Sequence, residues 1–169
     1  MTKPKVIIIT GPTGTGKTTL SRMVVKNHSY EYISGDEIKD ELFPGVEDIT
    51  EFPDKLLAVK EELLKRAKEL FDDGKSVVID YVILGEKYIK KIKNTFGTDL
   101  IMKVVLPSVE SIMKRDKKRT NWTSGEDSVK HLYERYQQLK PVFGEENYID
   151  NTGETPEETF EKSIKPLLN

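Results

Sequence analysis

The chain of 169 residues contains 27 lysines and arginines against 29 aspartates and glutamates, which gives a formal net charge of −2. This balance provides no overall positive field that would draw the protein onto nucleic acid or an anionic membrane. Cysteine is absent, so disulfides and thiolate metal sites are excluded. No stretch reaches the ~18 consecutive apolar residues of a membrane span, and no hydrophobic signal region precedes the first predicted strand. We therefore expect a single domain over residues 1–169 that works in the cytoplasm.

The first predicted elements are a buried strand over Val6–Thr10 and an amphipathic helix over Lys17–Lys26, joined by a glycine-rich turn. The turn matches the pattern G-x-x-x-x-G-K-[ST] at every fixed position. Glycine lets backbone N–H groups converge, and the helix directs its positive N-terminal end at the same point, so the turn is suited to bind a polyphosphate. A turn that only joins strand to helix is the alternative. The residues expected around ATP are Gly11, Pro12, Thr13, Gly14, Thr15, Gly16, Lys17, Thr18 and Thr19.

Two residues of the turn have specific expected roles. Lys17 would contact the β- and γ-phosphates as a point charge, which makes it a candidate catalytic residue. Thr18 would offer its hydroxyl to a magnesium ion that bridges these phosphates. The turn therefore predicts a site that binds ATP together with Mg²⁺.

The second predicted strand, Tyr30–Ser34, is followed by Gly-Asp-Glu. Asp36 lies just beyond the carboxyl end of this strand, and ligands of parallel α/β sheets bind at that edge. Its carboxylate would face the γ-phosphate and accept the proton of an attacking hydroxyl, so Asp36 is a candidate general base. The alternative is that Ser34 or Asp36 only caps the short helix that follows.

A long helix is predicted over Pro53–Asp73, where leucines recur at helical spacing, and Gly74 ends it. The third predicted strand, Ser76–Tyr81, is apolar up to Asp80. An acidic residue that closes an apolar strand beside a phosphate-binding turn is typical of a Walker-B carboxylate, which holds magnesium directly or through water. We therefore predict that Thr18 and Asp80 bind the metal together.

The next predicted elements are, in chain order, a helix over Glu86–Asn94, a strand over Leu100–Leu106 and a helix over Val109–Arg115. Arg119 follows Arg115 by four residues, which predicts that both guanidinium groups share one helical face. A lid over approximately residues 115–127 would close over the nucleotide and use both arginines to stabilise the charge of the transition state. The alternative is a solvated basic face.

The remaining predicted elements are a helix over Ser128–Leu139 that Pro141 stops, a short strand over Asn147–Asp150 and a helix over Pro156–Lys165. Strands alternate with helices, and runs such as Val-Ile-Ile-Ile-Thr are typical of parallel strands covered on both faces. The pattern predicts a three-layer α/β P-loop NTPase fold with a central, mostly parallel five-stranded sheet. Its ligands would bind at the carboxyl ends of the strands, where the phosphate-binding turn lies.

These motifs resemble those of small P-loop phosphotransferases of the nucleoside-monophosphate-kinase-like fold, in particular the branch with polynucleotide kinase, chloramphenicol phosphotransferase and the zeta toxins. The resemblance rests on the phosphate-binding turn, Ser-Gly-Asp-Glu, Val-Val-Ile-Asp, the R-x-x-x-R pair and the segment Tyr-Ile-Asp-Asn-Thr-Gly-Glu-Thr-Pro. It implies a kinase in which Asp36 is the general base and in which Arg115 and Arg119 contact the phosphates of ATP. It also implies that Thr152 and Pro156 lie near the adenine.

The acceptor region, between the second strand and the lid, differs from that of related kinases with anionic acceptors, which typically place arginine there. Here the span contains only Arg66, in the middle of the long helix, and its first part has a single lysine, Lys39, among eight carboxylates. We therefore expect a neutral or cationic hydroxyl compound as the acceptor. The alternative is that the carboxylates lie on the solvent face of a helix and do not line the pocket. They are Asp36, Glu37, Asp40, Glu41, Glu47, Asp48, Glu51 and Asp54.

Two other functions remain open. A polynucleotide 5′-hydroxyl kinase would need a basic track, and the lysines within residues 87–93 would provide one. Lysines at helical spacing usually face solvent, so nucleic acid is the less favoured partner. A nucleotide-gated ATPase switch would need a residue that positions water, and the only glutamines, Gln137 and Gln138, lie beyond the lid. No membrane partner is expected.

Overall fold

The computed structural model describes residues 2–119 and 124–168. This part of the chain contains one five-stranded sheet in which every pair of neighbours is parallel and the spatial order is β2-β3-β1-β4-β5. The predicted α/β fold with a five-stranded sheet is therefore confirmed. The strands are β1 (Val6–Thr10), β2 (Tyr30–Ser34), β3 (Ser76–Asp80), β4 (Leu100–Val105) and β5 (Tyr148–Ile149).

Helices connect the strands and cover the sheet. In the described residues the α-helices are α1 (Lys17–Asn27), α2 (Gly35–Leu42), α3 (Pro53–Asp72), α4 (Glu86–Phe96), α5 (Val109–Lys117), α6 (Glu126–Gln138), α7 (Lys140–Phe143) and α8 (Pro156–Thr159). None of them combines the length and the apolar character that crossing a bilayer requires.

The sheet is covered on both faces, which explains why its central strands are apolar throughout. Val6 and Ile8 of β1 contribute to a core cluster that includes buried residues of α3, α4 and α6. Ile7 and Ile9 contribute to a second cluster with α1 and the C-terminal helical segment. All four side chains are fully buried. Burial of each side chain contributes roughly 1.5–3 kcal/mol to stability. Strand β1 lies in the middle of the sheet and contributes to the cores on both of its faces.

Element ends differ from the predictions near the C-terminus. Pro141 does more than stop α6, because it lies in the first turn of α7, where a missing backbone N–H removes no helical hydrogen bond. The predicted helix from Pro156 to Lys165 is α-helical only as far as Thr159. It continues as a π-helical turn over Phe160–Ile164 and a 3-10 turn over Lys165–Leu167.

The strand register brings the predicted site residues to one edge of the sheet. Asp80, the last residue of β3, is paired with Ser34 of β2 on one side and with Ile9 of β1 on the other. Thr10 then leads from β1 directly into the glycine-rich turn. The carboxyl ends of three adjacent strands therefore lie side by side, which is where ligands of such sheets bind.

A buried hydrogen bond joins α6 to the end of β1. The hydroxyl of Tyr136 lies 2.8 Å from Thr10 Oγ1, which also accepts the N–H of Ile83 at 2.9 Å. Tyr136 is fully buried, and burial raises the pKa of its phenol above the usual value. Water does not reach this pair, and the backbone N–H groups of Gly11 and Ile83 also interact with the Tyr136 hydroxyl.

We predict that Tyr136→Phe lowers the free energy of unfolding by about 1–3 kcal/mol, because Thr10 loses a buried partner that water does not replace. Urea denaturation measures the change. The matched control is Tyr133→Phe on the same helix, where the lost hydroxyl only accepts the amide N–H of Gln137 at 2.9 Å in a partly exposed position. Equal losses in the two variants would contradict the prediction.

Candidate active site

The turn between β1 and α1 is shaped by close contacts of its backbone. Gly11 has φ +146°, and a Cβ there would lie 2.3 Å from the carbonyl oxygen of Val105, so only glycine fits. Thr15 Oγ1 and Lys17 Nζ both donate to the carbonyl oxygen of Pro12, each at 3.0 Å. Because α1 begins at Lys17, its first backbone N–H groups have no partner within the helix and are available to an anion bound in the turn.

Lys17 is the electrostatic centre of the site, and its side chain is buried. Burial lowers the pKa of the Lys17 amine, Asp80 and then Asp36 oppose this shift, and Arg119 adds to it. The hydrogen bond of Thr18 to Asp80, and the pairing of Asp80 with Ser34 just before Asp36, hold these groups at the same edge of the sheet. The structure therefore brings together four of the residues to which the sequence assigns a role in catalysis or metal binding.

Asp80 lies beside the phosphate-binding turn at the end of β3 and is buried. Thr18 Oγ1 donates a hydrogen bond to Asp80 Oδ2 at 2.6 Å. A hydroxyl that gives its proton to a carboxylate keeps its lone pairs for a hard cation, and such oxygens are the ligands that Mg²⁺ prefers. The donor set of Thr18 and Asp80 therefore fits a magnesium ion.

Asp36 lies in the first turn of α2, and the structure assigns the cap of this helix to Ser34. Ser34 Oγ accepts the N–H of Glu37 at 3.2 Å, so Asp36 is not needed as the cap. The side chain of Asp36 is exposed at the site. Desolvation by the surrounding protein raises the pKa of the Asp36 carboxyl, Lys17 opposes this shift, and Asp80 adds to it. The role of general base stays a prediction.

Gly35 lets the start of α2 approach the residue that follows Asp80. A Cβ at position 35 would lie 2.1 Å from a ring atom of Tyr81, which is a buried residue. Burial, with a smaller effect of Asp36, raises the pKa of Tyr81 to about 12. The phenol of Tyr81 is therefore protonated at neutral pH and forms a wall of the site rather than an acid or base.

Arg115 joins the phosphate-binding turn to the segment after β5. Its guanidinium donates to the carbonyl oxygens of Thr15 and Asn151, each at 3.2 Å. Asn151 is itself buried and donates from Nδ2 to the Thr15 carbonyl at 3.3 Å. These bonds fix the turn from its outer side, and a direct contact between Arg115 and phosphate stays a prediction.

Arg119 lies beyond the end of α5, which stops at Lys117. The expectation that Arg115 and Arg119 share one helical face is therefore wrong. The chain still turns at this point, since the N–H of Arg119 donates to the carbonyl of Asp116 at 3.1 Å. The Arg119 side chain is exposed, and its charge acts on Lys17. Within the predicted lid, residues 120–123 lie outside the described part of the chain.

Asp116 is a site residue that the sequence analysis missed. Its carboxylate is buried and accepts the N–H of Ser124 at 2.9 and 3.0 Å and the N–H of Gly125 at 3.2 Å. These bonds hold the residues before α6 against the end of α5. The available signal was a single acidic residue inside the basic run Lys-Arg-Asp-Lys-Lys-Arg.

Tyr32 is a second missed residue. Its hydroxyl donates to Asp80 Oδ2 at 3.0 Å, the oxygen that also accepts the Thr18 hydroxyl. Burial, followed by the nearby Asp80 carboxylate, raises the pKa of Tyr32 to about 12, so the phenol stays protonated and acts as a donor. The only sequence signal was a tyrosine two residues before the end of a strand, which is a common pattern in sheets.

Thr152 and Pro156 lie in the segment after β5. Thr152 Oγ1 accepts the N–H of Ser108 at 2.8 Å and donates to Asp150 Oδ1 at 2.6 Å, so this hydroxyl already has protein partners. Pro156 is the first residue of α8, behind a capping box. The contact of this segment with adenine stays a prediction, and the side chain that reaches the phosphate-binding turn is that of Asn151.

The carboxylates of α2 are largely paired with cations of other elements or of α2 itself. Glu37 pairs with Arg22 at 3.1 Å, Asp40 with Lys39 at 2.7 Å, and Glu41 with Arg66 at 2.7 Å. For these three carboxylates the structure favours the alternative interpretation, in which they lie on the outer face of the helix. Asp36 is the carboxylate of α2 that acts on Lys17.

The strand order, the phosphate-binding turn with its buried lysine and the threonine–aspartate pair define the class of protein, which is a P-loop kinase. A family model described as AAA domain matches residues 6–139, which is most of the chain. The chain therefore belongs to the AAA domain family. The predicted class, a small P-loop kinase, is confirmed.

Comparison with known proteins supports the same class. The chain is 28% identical to a shikimate kinase of Thermodesulfovibrio yellowstonii, over 95% of this chain and 94% of that protein. Shikimate kinase of Acinetobacter baumannii in complex with shikimate has a similar structure, with TM-score 0.72, 17% identity and coverage of 98% and 93%. The tunicamycin resistance protein of Deinococcus radiodurans gives TM-score 0.72 at 15% identity, over 98% of this chain and 96% of that one. The two structural similarities show the fold alone.

Proposed function

We propose that the protein transfers the γ-phosphoryl group of ATP, with the help of Mg²⁺, to a hydroxyl group of a neutral or cationic small molecule. The observation that carries this proposal is the convergence of Lys17, Asp36 and Asp80 at one edge of the sheet. One cation and two carboxylates in this arrangement suit a phosphate, a metal ion and a hydroxyl that must lose its proton.

In the proposed reaction, the turn and Lys17 bind the phosphates of ATP. The free N–H groups at the start of α1 bind phosphate oxygens, and Lys17 balances the charge that builds up on the oxygens during transfer. Thr18 and Asp80 would hold a magnesium ion, which would supply further positive charge to the phosphates. The charge of Arg119 acts on Lys17 from beyond α5, which supports its predicted contribution to the transition state, and the same role stays a prediction for Arg115.

The acceptor side of the reaction falls to Asp36. Its carboxylate accepts the hydroxyl proton as the acceptor oxygen attacks the γ-phosphorus, and ADP leaves. A raised pKa makes a carboxylate a stronger base, and the charge of Lys17 opposes the rise in the pKa of Asp36. Asp36 is exposed, so an acceptor can approach it from solvent.

The way in which the cations of this region are paired supports the proposed acceptor class. Arg66 donates from Nε to Glu62 and from Nη2 to Glu41, both at 2.7 Å, so two carboxylates already neutralise it. Lys39 is bonded to the carbonyl of Val46 and pairs with Asp40. An anionic acceptor would therefore find few unpaired cations near α2, whereas a neutral or cationic one needs none.

Lys60 of α3 is one cation that an anionic acceptor could use, and Lys55, whose amine lies over the rings of Phe43 and Phe52, is another. Lys60 is half-buried, burial lowers the pKa of its amine, and its Nζ donates to the carbonyl of Leu84 at 3.3 Å. In the described part of the chain no carboxylate forms an ion pair with it. Lys60 thus offers a direct test of the acceptor class.

We predict that Asp36→Asn lowers kcat for phosphoryl transfer by about 10²–10⁴-fold, because asparagine does not accept the proton. ATP affinity, measured by titration, is expected to change little. The matched control is Asp40→Asn in the next turn of the same helix, which removes a carboxylate paired with Lys39 and leaves kcat near that of the unchanged protein. Full activity of Asp36→Asn would contradict the assignment of the base.

We predict that the acid limb of the kcat/KM profile for the acceptor lies at a higher pH than the ordinary aspartate value of 3.8. The sign follows from the chemistry: the ionised carboxylate is the active form, and a raised pKa means that protonation inactivates it at higher pH. ATP affinity measured over the same pH range separates this limb from protonation of the nucleotide. Asp36→Glu should retain partial activity, with the acid limb of the profile at a different pH. An acid limb at the same pH in this variant would contradict the assignment of Asp36 as the general base.

We predict that a screen of ATP turnover with Mg²⁺ finds stimulation by neutral or cationic hydroxyl compounds and not by anionic metabolites or 5′-hydroxyl oligonucleotides. With the active compound, Lys60→Met should leave the acceptor KM unchanged, as should the control Lys65→Met on the exposed side of α3. An increase in KM of about 10-fold in Lys60→Met alone would indicate an anionic group on the acceptor and overturn the proposed class. Stimulation by oligonucleotides would indicate a polynucleotide kinase, and stimulation by none a nucleotide-gated switch.

A further inference from the structure

Four elements meet in a continuous set of contacts behind Asp80. Two hydroxyl groups, one from β2 and one from α1, donate to the same carboxylate oxygen, Asp80 Oδ2, from Tyr32 at 3.0 Å and Thr18 at 2.6 Å. In residues 2–119 and 124–168, no hydrogen bond from the protein is directed at the other oxygen, Oδ1. One oxygen of the carboxylate is therefore held by two protein hydroxyls.

The ring of Tyr32 is in turn covered by the guanidinium group of Arg22. The guanidinium carbon of Arg22 lies 3.7 Å from the ring centroid, and Arg22 Nη2 bonds Glu37 Oε1 at 3.1 Å. Glu37 is the neighbour of Asp36 in the first turn of α2. The phenol that contacts the metal-binding carboxylate is thus connected to the helix that carries the candidate base.

We propose that Tyr32 is a positioning residue for the metal ion: it fixes Asp80 in the orientation in which the carboxylate binds Mg²⁺, and Arg22 holds the ring of Tyr32 for this purpose. The proposal rests on the proposed function in one respect, the use of Mg²⁺ by the nucleotide site. A carboxylate that accepts two donors on one oxygen does not have to be ordered when the ion binds. A partner that orients a metal ligand in this way commonly changes metal affinity by 10–100-fold when removed.

The chain offers a matched pair of variants that separates this role from general packing. Tyr32→Phe removes only the hydroxyl and keeps the ring beneath Arg22. Tyr30→Phe makes the same change two residues earlier on the same face of β2, where the phenol interacts with Ser76 and is remote from Asp80. Both tyrosines are half-buried, so the two variants lose a similar group from a similar environment.

The experiment is a titration of Mg²⁺, and separately of Mn²⁺, into the ADP-loaded protein, with ADP affinity also measured without metal. We expect Tyr32→Phe to weaken metal binding about 10-fold while metal-free ADP affinity stays unchanged, and Tyr30→Phe to alter neither. Arg22→Leu should shift metal affinity in the same direction by a smaller factor, which provides a second test if Tyr32→Phe folds poorly.

Three results would overturn the inference. The first is unchanged metal affinity in Tyr32→Phe, and the second is a parallel loss of metal-free ADP affinity, which would indicate damage to the phosphate-binding turn. Binding of Mg²⁺ to wild-type protein with ADP no tighter than to free ADP would overturn it as well. Because none of these measurements uses an acceptor, weakened metal binding in a protein that transfers no phosphate would retain the positioning role and reject the proposed function instead.

Discussion

The site depends on the burial of one positive charge. The amine of Lys17 lies inside the turn between β1 and α1, where it donates to the carbonyl of Pro12. Removal of an ammonium from water is costly unless opposite charge compensates for it. Asp80 and Asp36 provide that charge, and they are available only because the parallel sheet brings the ends of β1, β2 and β3 to one edge. The parallel sheet therefore allows the Lys17 amine to be buried, and the buried amine in turn favours binding of an anion in the turn.

The two carboxylates near Lys17 differ in environment, and this difference separates their chemistry. Asp80 is buried, closes a strand and accepts two hydrogen bonds, so it is held in one orientation. Asp36 is exposed on the first turn of a short helix, and its pKa is raised. A rigid, hydrogen-bonded carboxylate suits a metal ion, whereas an accessible one with a raised pKa suits proton transfer.

Sequence patterns predicted those features that a single element fixes. The five strands and the turn follow from apolar runs and glycine spacing, and Asp80 follows from its place at a strand end. Even the cap at Ser34 has a local signature, since Glu37 stands three residues later, as in a capping box. The bonds of Arg115 to Asn151 and the ion pairs of Glu37 and Glu41 join elements that are distant in the chain. Such contacts depend on how helices pack, and no local pattern reports that.

The ring of Tyr81 fills the space beside Gly35, so any side chain at position 35 would clash with that ring. The two positions therefore act as a matched pair, in which a larger residue at the first demands a smaller one at the second. Homologous chains with a different acceptor should vary both together. A combinatorial library aimed at a new acceptor has to randomise both positions at once, since the distance between α2 and the loop after β3 is set jointly by the two.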